Sequence, residues 1–146
     1  MDQKVIAKAE EIVASKTGGY GDGNGSGYCV LALIDDKGYP TASTISISKA
    51  DGIKWLTFCA ALDDNKAKRV KQCNRGSVCV NSSEYNITLV GTLEIMTDPG
   101  IKKEMWNEGL EGHFSGADDP NYCILRFNTE RYNLFVDEGS ATGILA

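Results

Sequence analysis

Residues 38–70 read GYPTASTISISKADGIKWLTFCAALDDNKAKRV, and this stretch decides the fold. Thr41, Ser43, Ile45 and Ile47 alternate with Ala42, Thr44, Ser46 and Ser48. A period of two is that of a strand, here with one partly aliphatic face and one ladder of small hydroxyls. Asp51-Gly52 is the dipeptide favoured where a two-residue hairpin needs positive φ at both central positions, so a type I′ turn is expected. The run from Trp55 to Cys59 then returns as the antiparallel partner. Asp64 or Asn65 is placed to cap a helix running to about Asn74, with Lys66 in its first turn. A cation beside helix N–H groups suits an anion, and phosphate is the usual one. On spacing alone a plainer reading competes: hydroxyls facing solvent on a strand, with Lys66, Lys68, Arg69 and Lys71 on the wet face of a surface helix.

Upstream, Asp2 can cap a helix that places Val5, Ile6, Ala9, Ile12 and Val13 on one face, expected to pack on the outside of a barrel. Residues 18–27 contain six glycines but lack the G-x-G-x-x-G spacing and precede a strand, so they read as a connector able to close over a ligand. Residues 28–34 form a mostly apolar strand, followed by turn chemistry at Asp35-Asp36-Lys37-Gly38. Downstream, Gly76 is expected to end the lysine helix, and strands are expected at 77–81 and 87–96. Gly91 invites a bulge or a close backbone approach. Asp98-Pro99 opens a helix carrying Ile101, Met105 and Trp106, and residues 107–121 are irregular. Two last strands are expected at 122–127 and 131–136, with a loosely held tail from Asp137. Strands in hairpin order with short helices between them give a mainly β protein, a closed or partly closed antiparallel barrel. The expected layout is one domain over 1–146, with the N-terminal helix at 1–17, the connector at 18–27, the barrel at 28–136 and the tail at 137–146.

The 146 residues carry a net charge of −5, which argues against a broad nucleic-acid or anionic-membrane footprint, so any anion site must be local. The five cysteines form no Cys-x-x-Cys pair, and Cys29, Cys59, Cys79 and Cys123 fall in expected strands, as reduced thiols of a cytoplasmic protein would. His113 is the one histidine, so no zinc site is expected. No signal-peptide or membrane-length apolar run is seen. Nor does any Gly-x-Ser-x-Gly elbow accompany His113 to make a hydrolase.

The order Gly38-Tyr39-Pro40, hydroxyl strand, Asp51-Gly52, Trp55-Leu56-Thr57-Phe58, Asp64-Asn65-Lys66, Val70, Asn74, Val78 resembles the FMN-binding split-barrel superfamily of the pyridoxamine 5′-phosphate oxidases. Met105-Trp106, Gly112-His113-Phe114 and Asp118-Asp119-Pro120 resemble segments of its general stress protein branch, and together the likeness covers roughly 27–136. It implies an antiparallel Greek-key split β-barrel, FMN as cofactor, and a homodimer with FMN at the subunit interface. It also implies residue roles. Lys66 matches the phosphate-binding lysine, with Asn65 beside it and Arg69 one turn on. Thr44, Ile45 and Ser46 match the strand that meets phosphate, ribityl chain and ring edge. Thr57, Phe58, Cys59 and Ala60 match the second strand of that wall, within one or two residues. Trp106, His113 and Phe114 match a region that reaches the flavin from the second subunit.

The plain alternatives are Trp106 as core or dimer interface, His113 as an exposed loop side chain, and Cys59 as a small buried hydrophobe. The sequence departs from many relatives in having no arginine near Ser43 or Thr44, and it lacks the C-terminal segment with which true pyridoxamine phosphate oxidases grip substrate. The functions implied are an FMN-dependent oxidoreductase acting on a small molecule, a non-catalytic flavin-binding or stress-sensing protein, or a barrel that holds haem or a deazaflavin instead.

Overall fold

The computed structural model describes residues 2–17 and 27–145. The expected connector therefore lies outside the described residues, apart from Gly27. Helix α1 spans Asp2–Ser15, α2 Asn65–Gln72 and α3 Pro99–Met105. The strands are β1 (Tyr28–Ile34), β2 (Pro40–Ser46), β3 (Lys49–Asp51), β4 (Trp55–Ala61), β5 (Arg75–Asn81), β6 (Asn86–Met96), β7 (Tyr122–Val136) and β8 (Gly139–Ile144). All are paired antiparallel, in the order β2-β1-β5-β6-β7-β4-β3, with β8 also on β7.

The hydroxyl-rich run is what closes the sheet. Its first part, β2, pairs with β1, and after the step at Ile47 and Ser48 its second part, β3, pairs with β4 at the other end of the strand order. Ser48 N–H donates to Thr57 O at 2.8 Å, so the step is held to β4. The two ends of the sheet are thus consecutive in the chain, and the sheet curls into a barrel with no long crossover.

β7 shares its edge in the same way. Along one side it pairs with β6; along the other it pairs first with β4 and then with β8. The handover occurs at Glu130, the extra residue of a bulge where Val90 faces Arg131 and Gly91 faces Thr129. Gly91 is required there, since a Cβ would fall on the carbonyl oxygen of Asn128.

Several expectations are corrected by these pairings. The two strands expected at 122–127 and 131–136 are one strand of 15 residues, because the bulge bends the ladder without interrupting it. The tail expected to be loose forms β8, whose Ala141 is buried opposite Leu134. Gly76 does not end α2; it lies in β5 opposite Gly91, and α2 ends at Gln72 with Cys73 as its C-cap. The type I′ turn is replaced by a three-residue loop at Gly52, Ile53 and Lys54, in which Lys54 N–H donates to Asp51 O at 2.9 Å. Gly52 takes φ of +57°, whereas Asp51 and Ile53 do not take positive φ.

Side chains of alternate strand residues fill the barrel: Leu31 and Leu33, Leu56 and Phe58, Leu125 and Phe127. Val5, Ala9 and Val13 of α1 belong to this same cluster, so the helix seals the barrel interior beside β3, β7 and β8 and does not lie on its outside. Each such aliphatic side chain removed from water contributes roughly 1.5–3 kcal/mol.

Candidate functional site

In β4 the alternation is complete: Leu56, Phe58 and Ala60 point into the barrel, while Thr57 and Cys59 point outward. The outward face does not meet water. It is covered by α3 and residues 107–121, which build a second apolar cluster from Cys59, Leu110, Tyr122 and Ile124, with Met105, Trp106 and Phe114 packed on it. Asp98 makes this possible by capping α3, its carboxylate accepting from Ile101 N–H at 3.1 Å.

Tyr122 is the hub of the cover. Its hydroxyl donates to Lys102 O at 2.8 Å, and Trp106 meets its ring edge-on at a centroid distance of 5.5 Å. Phe114 lies 5.1 Å away, and Lys102 Nζ sits 5.4 Å from the ring centroid. The same ammonium donates to Asp119 O at 2.9 Å. Asp119 holds the loop through its carboxylate, which accepts from Ser115 N–H and Asn121 N–H. Those donors hold the carboxyl below its ordinary range.

Beneath α3, Ser48 Oγ and Thr57 Oγ1 lie 2.7 Å apart, and Thr57 Oγ1 is 3.6 Å from Met105 Sδ. Cys59 Sγ is 3.8 Å from the Tyr122 hydroxyl and donates toward Met105 O at 3.7 Å. Burial pushes the Cys59 thiol up, outweighing the hydrogen bonds from Tyr122 and Ser48 that pull it down. The thiol is therefore neutral near pH 7 and is not a nucleophile in this state.

The anion-suited residues lie on two other elements, α2 and β2. Asp64 caps α2, accepting from Lys66 N–H at 3.4 Å, and Lys66 Nζ stands 4.0 Å from the same carboxylate. On β2, Thr44 is exposed and Ser46 is buried; neither hydroxyl makes a hydrogen bond among the described residues. In the β1–β2 turn, hydrogen bonds from Tyr39 N–H, Lys37 N–H and Thr41 hold Asp35 below its ordinary range, with a smaller contribution from the charge of Arg69.

The sequence candidates thus divide. Trp106, Phe114 and Cys59 come together in the second cluster, and Thr57 lies under Met105. Phe58, Ala60 and Ile45 face the core. Asn65, Lys66 and Arg69 share α2, and no hydrogen bond or ion pair joins them to Thr44 or Ser46 among the described residues. His113 is exposed. Ser48, Met105, Tyr122 and Lys102 were not candidates. Ser48 had a signal, since it extends the hydroxyl ladder by one period; the others become neighbours only through the fold of 107–121. Among the described residues no cluster of three or more His, Cys, Asp or Glu side chains could hold a metal.

Lys66 offers one partly buried ammonium in the first turn of α2, with the carboxylate of Asp64 beside it, and β2 carries two hydroxyls without a partner among the described residues; these are group types that suit a phosphate. The fold defines a split β-barrel protein. A family model described as "Pyridoxamine 5'-phosphate oxidase like" matches residues 24–145, and the chain belongs to that family. Among solved structures, it is similar to a Clostridium acetobutylicum protein related to general stress protein 26 of B. subtilis, at 26% identity and a TM-score of 0.79, over 99% of this chain and 97% of that one. A heme binding protein from Mycobacterium smegmatis matches at 14% identity and 0.69, covering 95% of this chain and 57% of that one. A pyridoxamine 5'-phosphate oxidase-related, FMN binding protein from Nostoc punctiforme matches at 14% and 0.63, covering 99% and 95%. No curated protein matches significantly.

Proposed function

We propose that this protein binds FMN and serves as a flavin-dependent oxidoreductase for a small molecule. The observation that carries the reading is Lys66, held in the first turn of α2 of a chain in this family, with Thr44 and Ser46 offering hydroxyls on β2. Lys66 Nζ and these hydroxyls bind the phosphate, and Asn65 adds an amide beside them. Arg69, one turn on in α2, contributes positive charge. FMN, when bound, supplies hydride or electron transfer at its ring. The chain's own part is to hold it and exclude water; the part-buried Ser48–Thr57 pair and the Trp106–Phe114 cover shape the outer face of β4.

A homodimer accompanies this reading. The outer face of β2 carries Thr44 and Ser46, and beside it Tyr28, directly opposite Ser46, leaves 49% of its surface exposed. A two-fold partner covering that face supplies a second wall for the ligand, twice over.

A second reading, haem in place of flavin, draws on the exposed imidazole of His113 and on the heme binding neighbour. A visible absorption spectrum separates the two. After addition of FMN and desalting, the wild-type protein is expected to keep flavin bands, and Lys66→Ala to lose about tenfold or more in affinity. If no flavin is retained by the wild type, FMN binding of useful affinity is refuted. A Soret band on adding haem, weakened in His113→Ala, would establish the second reading. Reduction of the bound flavin by nicotinamide donors, followed by reoxidation by an acceptor, distinguishes an oxidoreductase from a flavin-holding protein.

A further inference from the structure

We infer that the groove between α3 and the loop at 115–119 binds a small aliphatic monocarboxylate, with the ammonium of Lys102 as its counter-ion. Pro99, Lys102 and Lys103 line the groove from α3, and Ala117 and Asp118 line it from the loop, around a volume of about 360 Å³. Both walls are tied down. Asp98 caps α3 through Ile101 N–H, the Tyr122 hydroxyl donates to Lys102 O, and the Asp119 carboxylate gathers the loop through Ser115 and Asn121.

Lys102 is what sets this groove apart. It is only 7% exposed, the one charged side chain that is buried among the described residues. Its Nζ donates to Asp119 O at 2.9 Å and lies 5.4 Å from the centroid of the Tyr122 ring. A carbonyl and a ring face replace part of the hydration that the ammonium has lost, but neither carries a negative charge. No carboxylate forms an ion pair with it among the described residues. The Asp119 carboxylate feels the Lys102 charge, yet its oxygens accept from Ser115 N–H, Ser115 Oγ and Asn121 N–H instead. By contrast Lys49, half exposed and in need of no partner, pairs with Glu104 at 2.7 Å. A buried ammonium without a counter-ion is costly, and a bound anion supplies the missing charge. Of its three N–H donors the Asp119 carbonyl takes one, which leaves donors for a carboxylate.

The walls set the rest of the ligand. Pro99, Ala117 and the aliphatic stem of Lys103 offer an apolar surface beside the charge, which suits a short hydrocarbon chain. Asp118 is exposed and forms no ion pair among the described residues. Its charge offsets that of Lys103, so the two lysines and one aspartate leave the groove with a single net positive charge. One charge matches a monoanion, and the carboxylate of Asp118 repels a dianion such as phosphate. Lys66 and β2 take no part in the groove, so this inference stands apart from the flavin reading.

The test is calorimetric titration of the full-length protein with propionate, its neutral isostere propionamide and inorganic phosphate, repeated on Lys102→Met and Asp118→Asn. Propionate should bind the wild type with a dissociation constant on the order of 10 mM or tighter, and propionamide and phosphate should not. Lys102→Met keeps the stem and removes the charge, so propionate affinity should fall about tenfold or more. Its melting temperature is expected to hold or rise, because an unpaired buried charge has been replaced by an apolar group of similar size. Asp118→Asn removes the repelling carboxylate and should tighten propionate about twofold. Asp118 is exposed and unpaired, so this variant keeps the fold whether or not Lys102→Met does. Flavin retention equal to that of the wild type in both variants separates this site from Lys66. No propionate binding to the wild type, propionamide or phosphate binding as tightly as propionate, affinity unchanged in a folded Lys102→Met, or affinity not raised in Asp118→Asn would each overturn the inference.

Discussion

Cys29 and Cys123 show how burial, above other causes, sets the chemistry of a side chain. Both face the barrel core, and desolvation pushes their thiols from 9.0 up to about 12 and about 11 respectively. In the unfolded chain these groups ionise near 9, whereas in the folded chain they stay protonated until higher pH. Their contribution to stability is thus fully present below pH 9 and is lost as pH rises from there through the folded values. For Cys29 the loss at pH 10.5 is on the order of 2 kcal/mol. Urea midpoints measured at pH 7.5 and 10.5 should fall accordingly, with a smaller fall in Cys29→Ala. A midpoint that does not move over this range would show that the thiols ionise freely in the fold. Lys66 is the residue on which the cofactor reading turns, because no arginine stands near Ser43 or Thr44.

Among the elements, β6 and β7 bear the tightest constraint. A methyl group at Gly91 would collide with the Asn128 carbonyl and with Glu130 N, both main-chain atoms of the bulge that cannot swing aside. Gly91→Ala is therefore expected to cost about 2–4 kcal/mol, read as a lower urea midpoint with the same m-value. A change below 0.5 kcal/mol would show that the bulge relaxes freely. β8 makes a different prediction. It pairs with β7 from Arg131 to Val136 and buries Ala141, so a chain ending at Val136 leaves a long strand edge open. Such a chain should melt roughly 10 °C or more below the full one, or aggregate, and a truncated protein with unchanged melting would return the segment to the status of a loose tail.

For the whole molecule, assembly is the open property with the clearest test. Tyr28 is half exposed beside Ser46 on the face assigned to a second copy. Sedimentation of the wild type is expected to give twice the chain mass, with Tyr28→Lys shifted toward monomer and FMN affinity falling about tenfold. A wild type that sediments as a monomer while retaining FMN would sever dimer from cofactor. None of the described helices is long and apolar enough to cross a membrane.

The sequence by itself determined those features whose physics is local. The strand period of 40–46, the glycine turns at Gly38 and Gly52, the Asp64 and Asp98 caps and the apolar stripe of α1 all follow from residues within a turn or two of one another. Their order was enough to place the chain in its family. The tertiary structure decided whatever depends on which edge meets which. The Glu130 bulge joins two expected strands into β7, and β8 pairs because β4 ends and leaves that edge free. Cys59, Tyr122, Trp106 and Phe114 meet because the irregular 107–121 segment folds back over β4 and β7. Val90 and Ile144 lie beside Arg131 only through register, being far from it in sequence and next to it across the sheet. Hydrogen-bonding period and capping are written in neighbouring side chains, whereas strand pairing is a choice among distant partners that burial of the whole barrel makes at once.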